Sequence, residues 1–171
     1  MPSWYTAGPG DEQMNVDPPI RVRHAFTQQL NAPAEQVFPL LCPVREADWI
    51  EGWDPDVVYT TSGLAEPDCV FVTGAGAERA VWTITQHEPA TGRVAFVKVI
   101  PDTTVTHIRI RVSPIDNDRS SAVVEYQLTA LGPAGEQAVR EFTDERYTAF
   151  MRLWEDRLNH YLAVGQLLRS S

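Results

Sequence analysis

Between residues 57 and 131 apolar and polar positions alternate in short runs separated by turn residues. A period of two predicts strands near 57–62, 68–73, 79–88, 93–100, 104–113 and 121–131. The breaks are Gly63, Gly74-Ala75-Gly76, Thr91-Gly92, Pro101-Asp102 and Asp116-Asn117-Asp118, which is the turn chemistry of successive hairpins. The clearest pair joins 106–112 to 122–128. One face of it carries Ile108, Ile110, Val112, Val124, Tyr126 and Leu128, and the other His107, Arg109, Arg111, Glu125 and Gln127.

A further strand is expected over 20–30, with Ile20, Val22, Phe26 and Leu30 on one face, interrupted by His24 and Gln28. Asn31-Ala32-Pro33-Ala34-Glu35 then reads as a helix start, with a polar cap, a proline in the first turn and an acid at the positive end of the dipole. Pro39 should shorten or kink this helix, and Cys42-Pro43 should end it. A second short helix and a turn at Gly52 follow. From 136 to 168 there is no proline and a single glycine, Gly165, so one helix of about 50 Å is expected. Tyr147, Phe150, Met151, Trp154, Leu158, Tyr161 and Leu162 form one stripe on it, with Phe142 near its start. Laying that stripe on the apolar face of the sheet buries both at once. The fold class is therefore α+β: a curved seven-stranded antiparallel sheet around a long C-terminal helix, with two short helices after the first strand.

Residues 1–19 hold Pro2, Pro9, Pro18 and Pro19 with Gly8 and Gly10, and read as a flexible arm ahead of a domain over 20–169. Trp4 and Tyr5 either dock on a surface or are stray aromatics in that arm.

The 171 residues suit one domain. A net charge of −9 without a dense Lys/Arg cluster argues against nucleic acid and anionic membranes as partners. Cys42 and Cys69 fit no zinc or redox spacing. With no signal peptide and no run long enough to span a membrane, the expectation is a cytoplasmic protein with reduced thiols. A homodimer stays open.

The order of elements, together with Cys42-Pro43-Val44-Arg45-Glu46-Ala47-Asp48-Trp49-Ile50-Glu51-Gly52-Trp53, Cys69-Val70-Phe71-Val72-Thr73 and Tyr126-Gln127-Leu128-Thr129-Ala130-Leu131, resembles the START/plant-allergen superfamily (SRPBCC), which includes polyketide cyclase-like proteins. The likeness runs from about residue 20 to 168 and is greatest to a bacterial, largely uncharacterised subgroup. It implies a helix-grip fold with a cavity between the long helix and the sheet. Mapped onto this chain, the implied lining is Leu41, Trp49, Trp53, Phe71, Trp82, Ile84, Phe96, Ile108, Ile110, Tyr126, Phe150 and Trp154. The superfamily binds lipids, sterols, polyketides, hormones or coenzymes, and some members are enzymes, so fold alone does not name a function.

Three readings follow, the third being a protein-interaction module of the kind this fold also supports, with Trp4 and Tyr5 reaching a partner. In the first, the cavity carries an apolar ligand, aromatic or lipid-like, and needs no cofactor. Four tryptophans, Trp49, Trp53, Trp82 and Trp154, suit planar ligands, though each would also serve as core. In the second, the protein is a metal-free cyclase or dehydratase, a lyase or isomerase acting on a polyketide-like substrate, with Glu46, Asp48, Tyr126 and Arg45 as its polar groups. A carboxyl in an apolar pocket has a raised pKa and can shuttle protons. On a helix surface the same carboxyls would be caps or solvated charges, and Arg45 would pair with one of them. His24, His87, His107 and His160 have no metal-ligand spacing. No GxSxG elbow is present. Thr73-Gly74-Ala75-Gly76 precedes a strand rather than a helix, so it reads as a turn and not as a phosphate cradle.

Overall fold

The structure, a computed structural model, describes residues 16–170; most of the arm placed over 1–19, including Trp4 and Tyr5, lies outside the described residues. The chain order is β1 (Arg21–Leu30), α1 (Ala34–Val37), β2 (Val57–Tyr59), β3 (Val70–Thr73), β4 (Ala80–Glu88), β5 (Arg93–Ile100), β6 (Thr104–Pro114), β7 (Ser120–Ala130), α2 (Pro133–Glu141) and α3 (Asp144–Val164). The seven strands form one antiparallel sheet in the order β1-β7-β6-β5-β4-β3-β2. This is the expected architecture, with the C-terminal helices laid across the inner face.

Inner residues form rows across the strands. One row runs Phe71–Trp82–Lys98–Thr106–Leu128–Val22. The next runs Ile84–Phe96–Ile108–Tyr126–His24. A third, Val94–Ile110–Val124–Phe26, belongs mainly to the closed core, where Val94 and Val124 are fully buried. In β4 the alternation slips, because a bulge between Ile84 and Gln86 inserts one residue. The inner position beyond it is therefore His87, which pairs with Val94 and packs on Phe38 at 5.3 Å between ring centroids.

The polar interruptions of β1 prove structural. Gln28 is buried, and its Nε2 donates to the Met151 carbonyl at 3.1 Å. His24 Nε2 donates to the Phe142 carbonyl at 2.7 Å. Both tie the first strand to the helices. The edge of β1 is held in the same way: Gln29 N donates to Glu155 Oε2 at 2.5 Å, and Asn159 Nδ2 donates to the Gln29 carbonyl at 2.9 Å.

Three expectations are corrected. The single C-terminal helix is two helices, broken at Phe142–Thr143. Thr143 is extended (φ −77°, ψ 161°), and its side chain accepts from Arg146 N at 3.3 Å, which starts α3 as a new helix with Asp144 and Glu145 in its first turn. The carbonyl freed at Phe142 finds His24. The first short helix has only one α-turn and then tightens into a 3-10 turn over Phe38–Leu40 around Pro39. Its cap residue is Pro33, with no side-chain cap bond; the Asn31 backbone N–H instead donates to Asn159 Oδ1 at 2.8 Å.

Gly135 explains how closely α2 approaches the sheet. A Cβ there would stand 1.8 Å from the Thr103 carbonyl oxygen and 3.0 Å from Ala130 Cα, so only glycine fits. Gly74 (φ +72°) turns β3 towards β4 through a 3-10 turn at Gly76–Glu78, as the hairpin reading required.

Candidate functional site: an aromatic cavity with three ionisable groups

A cavity of about 500 Å³ lies between the first two inner rows of the sheet and the cover formed by α2, α3 and the segment after α1. Nine of the expected lining residues reach it: Trp53, Phe71, Trp82, Phe96, Ile108, Ile110, Tyr126, Phe150 and Trp154. Leu41, Trp49 and Ile84 do not. They are 3%, 0% and 0% exposed and belong to the core around the cavity. Trp49 Nε1 donates to the Leu40 carbonyl at 3.0 Å, and its ring meets Trp154 edge-on at 5.3 Å. It supports the wall from behind.

The walls are pre-positioned. Phe71 and Trp82 stack at 5.2 Å and 16°, and Trp53 stands edge-on to both at 6.0 and 6.1 Å. Trp53 Nε1 donates to the Pro43 carbonyl at 2.7 Å, and Trp82 Nε1 to Thr73 Oγ1 at 2.8 Å. With their N–H groups satisfied, these indoles offer apolar faces. On the helix side Phe150 packs edge-on against Tyr126 at 6.2 Å and meets Trp154 at 5.3 Å. Phe150 is 37% exposed and stands at the rim.

Glu46 is the central polar finding. It lies in a 3-10 turn, Arg45–Asp48, whose period of about three residues puts positions three apart on one face. Glu46 and Trp49 therefore turn inward, and Arg45 and Asp48 turn outward. Arg45 Nε donates to Asp48 Oδ2 at 2.7 Å on the surface. Of the four polar candidates, Glu46 and Tyr126 line the cavity, whereas Arg45 and Asp48 lie outside it. Glu46 is 5% exposed, and its carboxyl makes no hydrogen bond or ion pair among the described residues. Burial alone pushes it up to about 8. The Tyr126 phenol is held well above its ordinary value, first by burial and then by the neighbouring Glu46.

Lys98 also lines the cavity, a residue that the sequence reading missed. Its strand phase was the available signal, because Phe96, Lys98 and Ile100 share one side of β5. Its Nζ lies 4.8 Å from the centre of the Trp82 ring, and burial lowers its pKa, with Glu78 opposing. Thr73, Thr103, Thr104 and Thr106 add hydroxyls, and Ile50, Ile100, Leu128, Ala138 and Phe142 complete the lining. Phe142 reaches the cavity because the helix breaks there.

Among the described residues no group of three or more His, Cys, Asp or Glu side chains could hold a metal ion. Among them, too, no helix is long and apolar enough to cross a membrane.

No protein-family model and no curated protein matches the sequence. Solved structures do match. Norcoclaurine synthase from Thalictrum flavum, in complex with dopamine and hydroxybenzaldehyde, superposes with a TM-score of 0.61 at 11% identity, over 90% of this chain and 91% of that one. The Zhui aromatase/cyclase from Streptomyces sp. R1128 gives 0.60 at 16% identity, over 86% and 99%. A START superfamily protein from Mycobacterium smegmatis gives 0.58 at 13% identity, over 81% and 97%. The chain thus shares the fold of these proteins, the helix-grip architecture expected from the sequence.

Proposed function

We propose that the protein binds an apolar small molecule, aromatic or lipid-like, between the sheet and the α2–α3 cover, within a unit spanning 20–169. The carrying observation is the 500 Å³ cavity lined by aromatic side chains whose N–H groups are already bonded elsewhere. A volume of that size suits a ligand of two to four rings or a medium acyl chain. The norcoclaurine synthase structure holds two aromatic molecules, which supports the aromatic class. Native mass spectrometry of the purified protein, followed by tryptophan-fluorescence titration with sterols, fatty acids, flavonoids and polyketides, tests the reading. A retained mass or saturable quenching that is lost in Trp53→Ala is expected. No bound mass and no quenching by any class would overturn it.

A second reading rests on Glu46. A carboxyl protonated near neutral pH beside a phenol can give a proton to a carbonyl oxygen of a bound polyketide-like molecule and take one from the carbon next to it. The protein would then be a cyclase or dehydratase needing no metal, with Glu46 as acid and base and Tyr126 as hydrogen-bond donor. The aromatase/cyclase among the similar structures favours keeping it. Product formation from a bound polyketide that is abolished in Glu46→Gln, with binding retained, separates enzyme from carrier. The two free cysteines, both buried, suit the cytoplasm.

A further inference from the structure

The chain has fourteen Lys and Arg residues in all, and Lys98 is the single lysine. Eight arginines (Arg23, Arg45, Arg79, Arg109, Arg119, Arg140, Arg146 and Arg157) form ion pairs with carboxylates. Lys98 forms none among the described residues. It occupies an inward position in the middle of the sheet, between Trp82 on β4 and Thr106 on β6. Trp82 offers its ring face to the ammonium. Thr106 is 5% exposed, and its hydroxyl makes no side-chain hydrogen bond among the described residues. A cation and a hydroxyl thus face the same apolar space; the ammonium meets the Trp82 face and feels the charge of Glu78, but makes no ion pair among the described residues. Burying a charge costs free energy unless it is paired. The Trp82 face offsets only part of that.

The geometry points to a carboxylate subsite: we propose that Lys98 and the Thr106 hydroxyl bind a carboxylate on the ligand, so that the cavity selects an aromatic or lipid-like acid over its neutral analogue. This rests on the ligand-binding reading above. A compact ammonium on a flexible stem can meet a single carboxylate oxygen where a planar guanidinium fork would need more room. The carboxylate would lie against the Phe71–Trp82 stack, with the apolar body running towards Phe96, Ile108 and Tyr126. The rest of the cavity is consistent with one anionic end. Tyr126 lies one row and two strands from Lys98, roughly 12 Å across the sheet, and Glu46, beside Tyr126, carries no positive charge in either form. Lys98 is the one cation among the lining residues, so an anionic end of the ligand is directed to it.

The test is isothermal titration calorimetry with a matched pair, naphthalene-2-carboxylate and naphthalene-2-methanol, on the wild type and Lys98→Met. A charge-assisted contact in a dry site predicts that the carboxylate binds about tenfold more tightly than the alcohol. Lys98→Met should remove that preference by weakening the carboxylate about tenfold more than the alcohol. A second measurement needs no variant. Lys98 and the N-terminus are the chain's primary amines, so reductive methylation read by peptide mass should be slowed at Lys98 by the carboxylate and not by the alcohol. Equal affinities for the two probes, or equal weakening of both by Lys98→Met, would overturn the subsite and leave the cavity reading standing. Binding of neither probe would overturn the subsite for an aromatic acid, whereas the cavity reading falls only if the whole ligand panel above fails as well.

Discussion

Glu46→Gln should change the pH dependence of folding between about pH 4.5 and 8. The folded carboxyl titrates at about 8 against an ordinary value of 4.5, so the folded state holds a proton that the unfolded state releases. The stability associated with that proton is fully present below about pH 4.5, declines as pH rises, and is gone above about pH 8. At about 1.4 kcal/mol per pH unit, the whole effect is at most about 5 kcal/mol, a large share of a domain's net stability. Glutamine has the same shape and stays neutral, so the variant should lack the decline. Urea unfolding followed by tryptophan fluorescence, at steps from pH 4.5 to 8.5, measures it for both proteins. Other titrating groups, including His87, whose pKa burial lowers, are common to both and cancel in the difference. The variant should gain on the wild type by about 1 kcal/mol per pH unit between pH 5 and 7.5. Parallel curves would mean that the Glu46 carboxyl is solvated or paired, and the acid–base reading would lose its basis.

Three further outcomes are expected. Gly135→Ala forces α2 away from the Thr103 carbonyl and should cost about 2–3 kcal/mol, read as a lower thermal midpoint. Tyr147→Phe removes the hydroxyl that donates to the Val124 carbonyl at 2.6 Å and should cost about 1–2 kcal/mol in urea unfolding. Arg45→Ala breaks an ion pair on the surface and should cost under about 1 kcal/mol, with ligand affinity in the calorimeter unchanged.

The strands were legible because β6 and β7 each bury one face, so a period of two survives from 104 to 130. The inner rows of that hairpin needed nothing beyond the alternation. The β4 bulge is different. It changes phase within one strand, and no residue at Thr85 announces it. The helix break at Phe142–Thr143 escaped for a related reason: threonine and phenylalanine are tolerated inside helices, and the partner that stabilises the break, His24, lies 118 residues away. The same histidine and Gln28 looked like flaws in an apolar face, because their backbone partners belong to helices that the local pattern cannot see. At the site, Glu46 was legible as a type of residue but not as a direction. Either helical period puts Glu46 nearer than Asp48 to the face of Trp49, so its direction became legible only once Trp49 was seen to turn inward.

The way α3 holds β1 bears on how copies of this chain can meet. A sheet of seven strands ends in two edges, and an open edge invites a neighbouring strand. Glu155 and Asn159 occupy the hydrogen-bonding groups of Gln29, so a strand added along β1 would have to stop short of its C-terminal end or displace those α3 side chains. The opposite edge, β2, is three residues long and too short to template an extended pairing. The helix thus shortens the one edge long enough to invite strand addition.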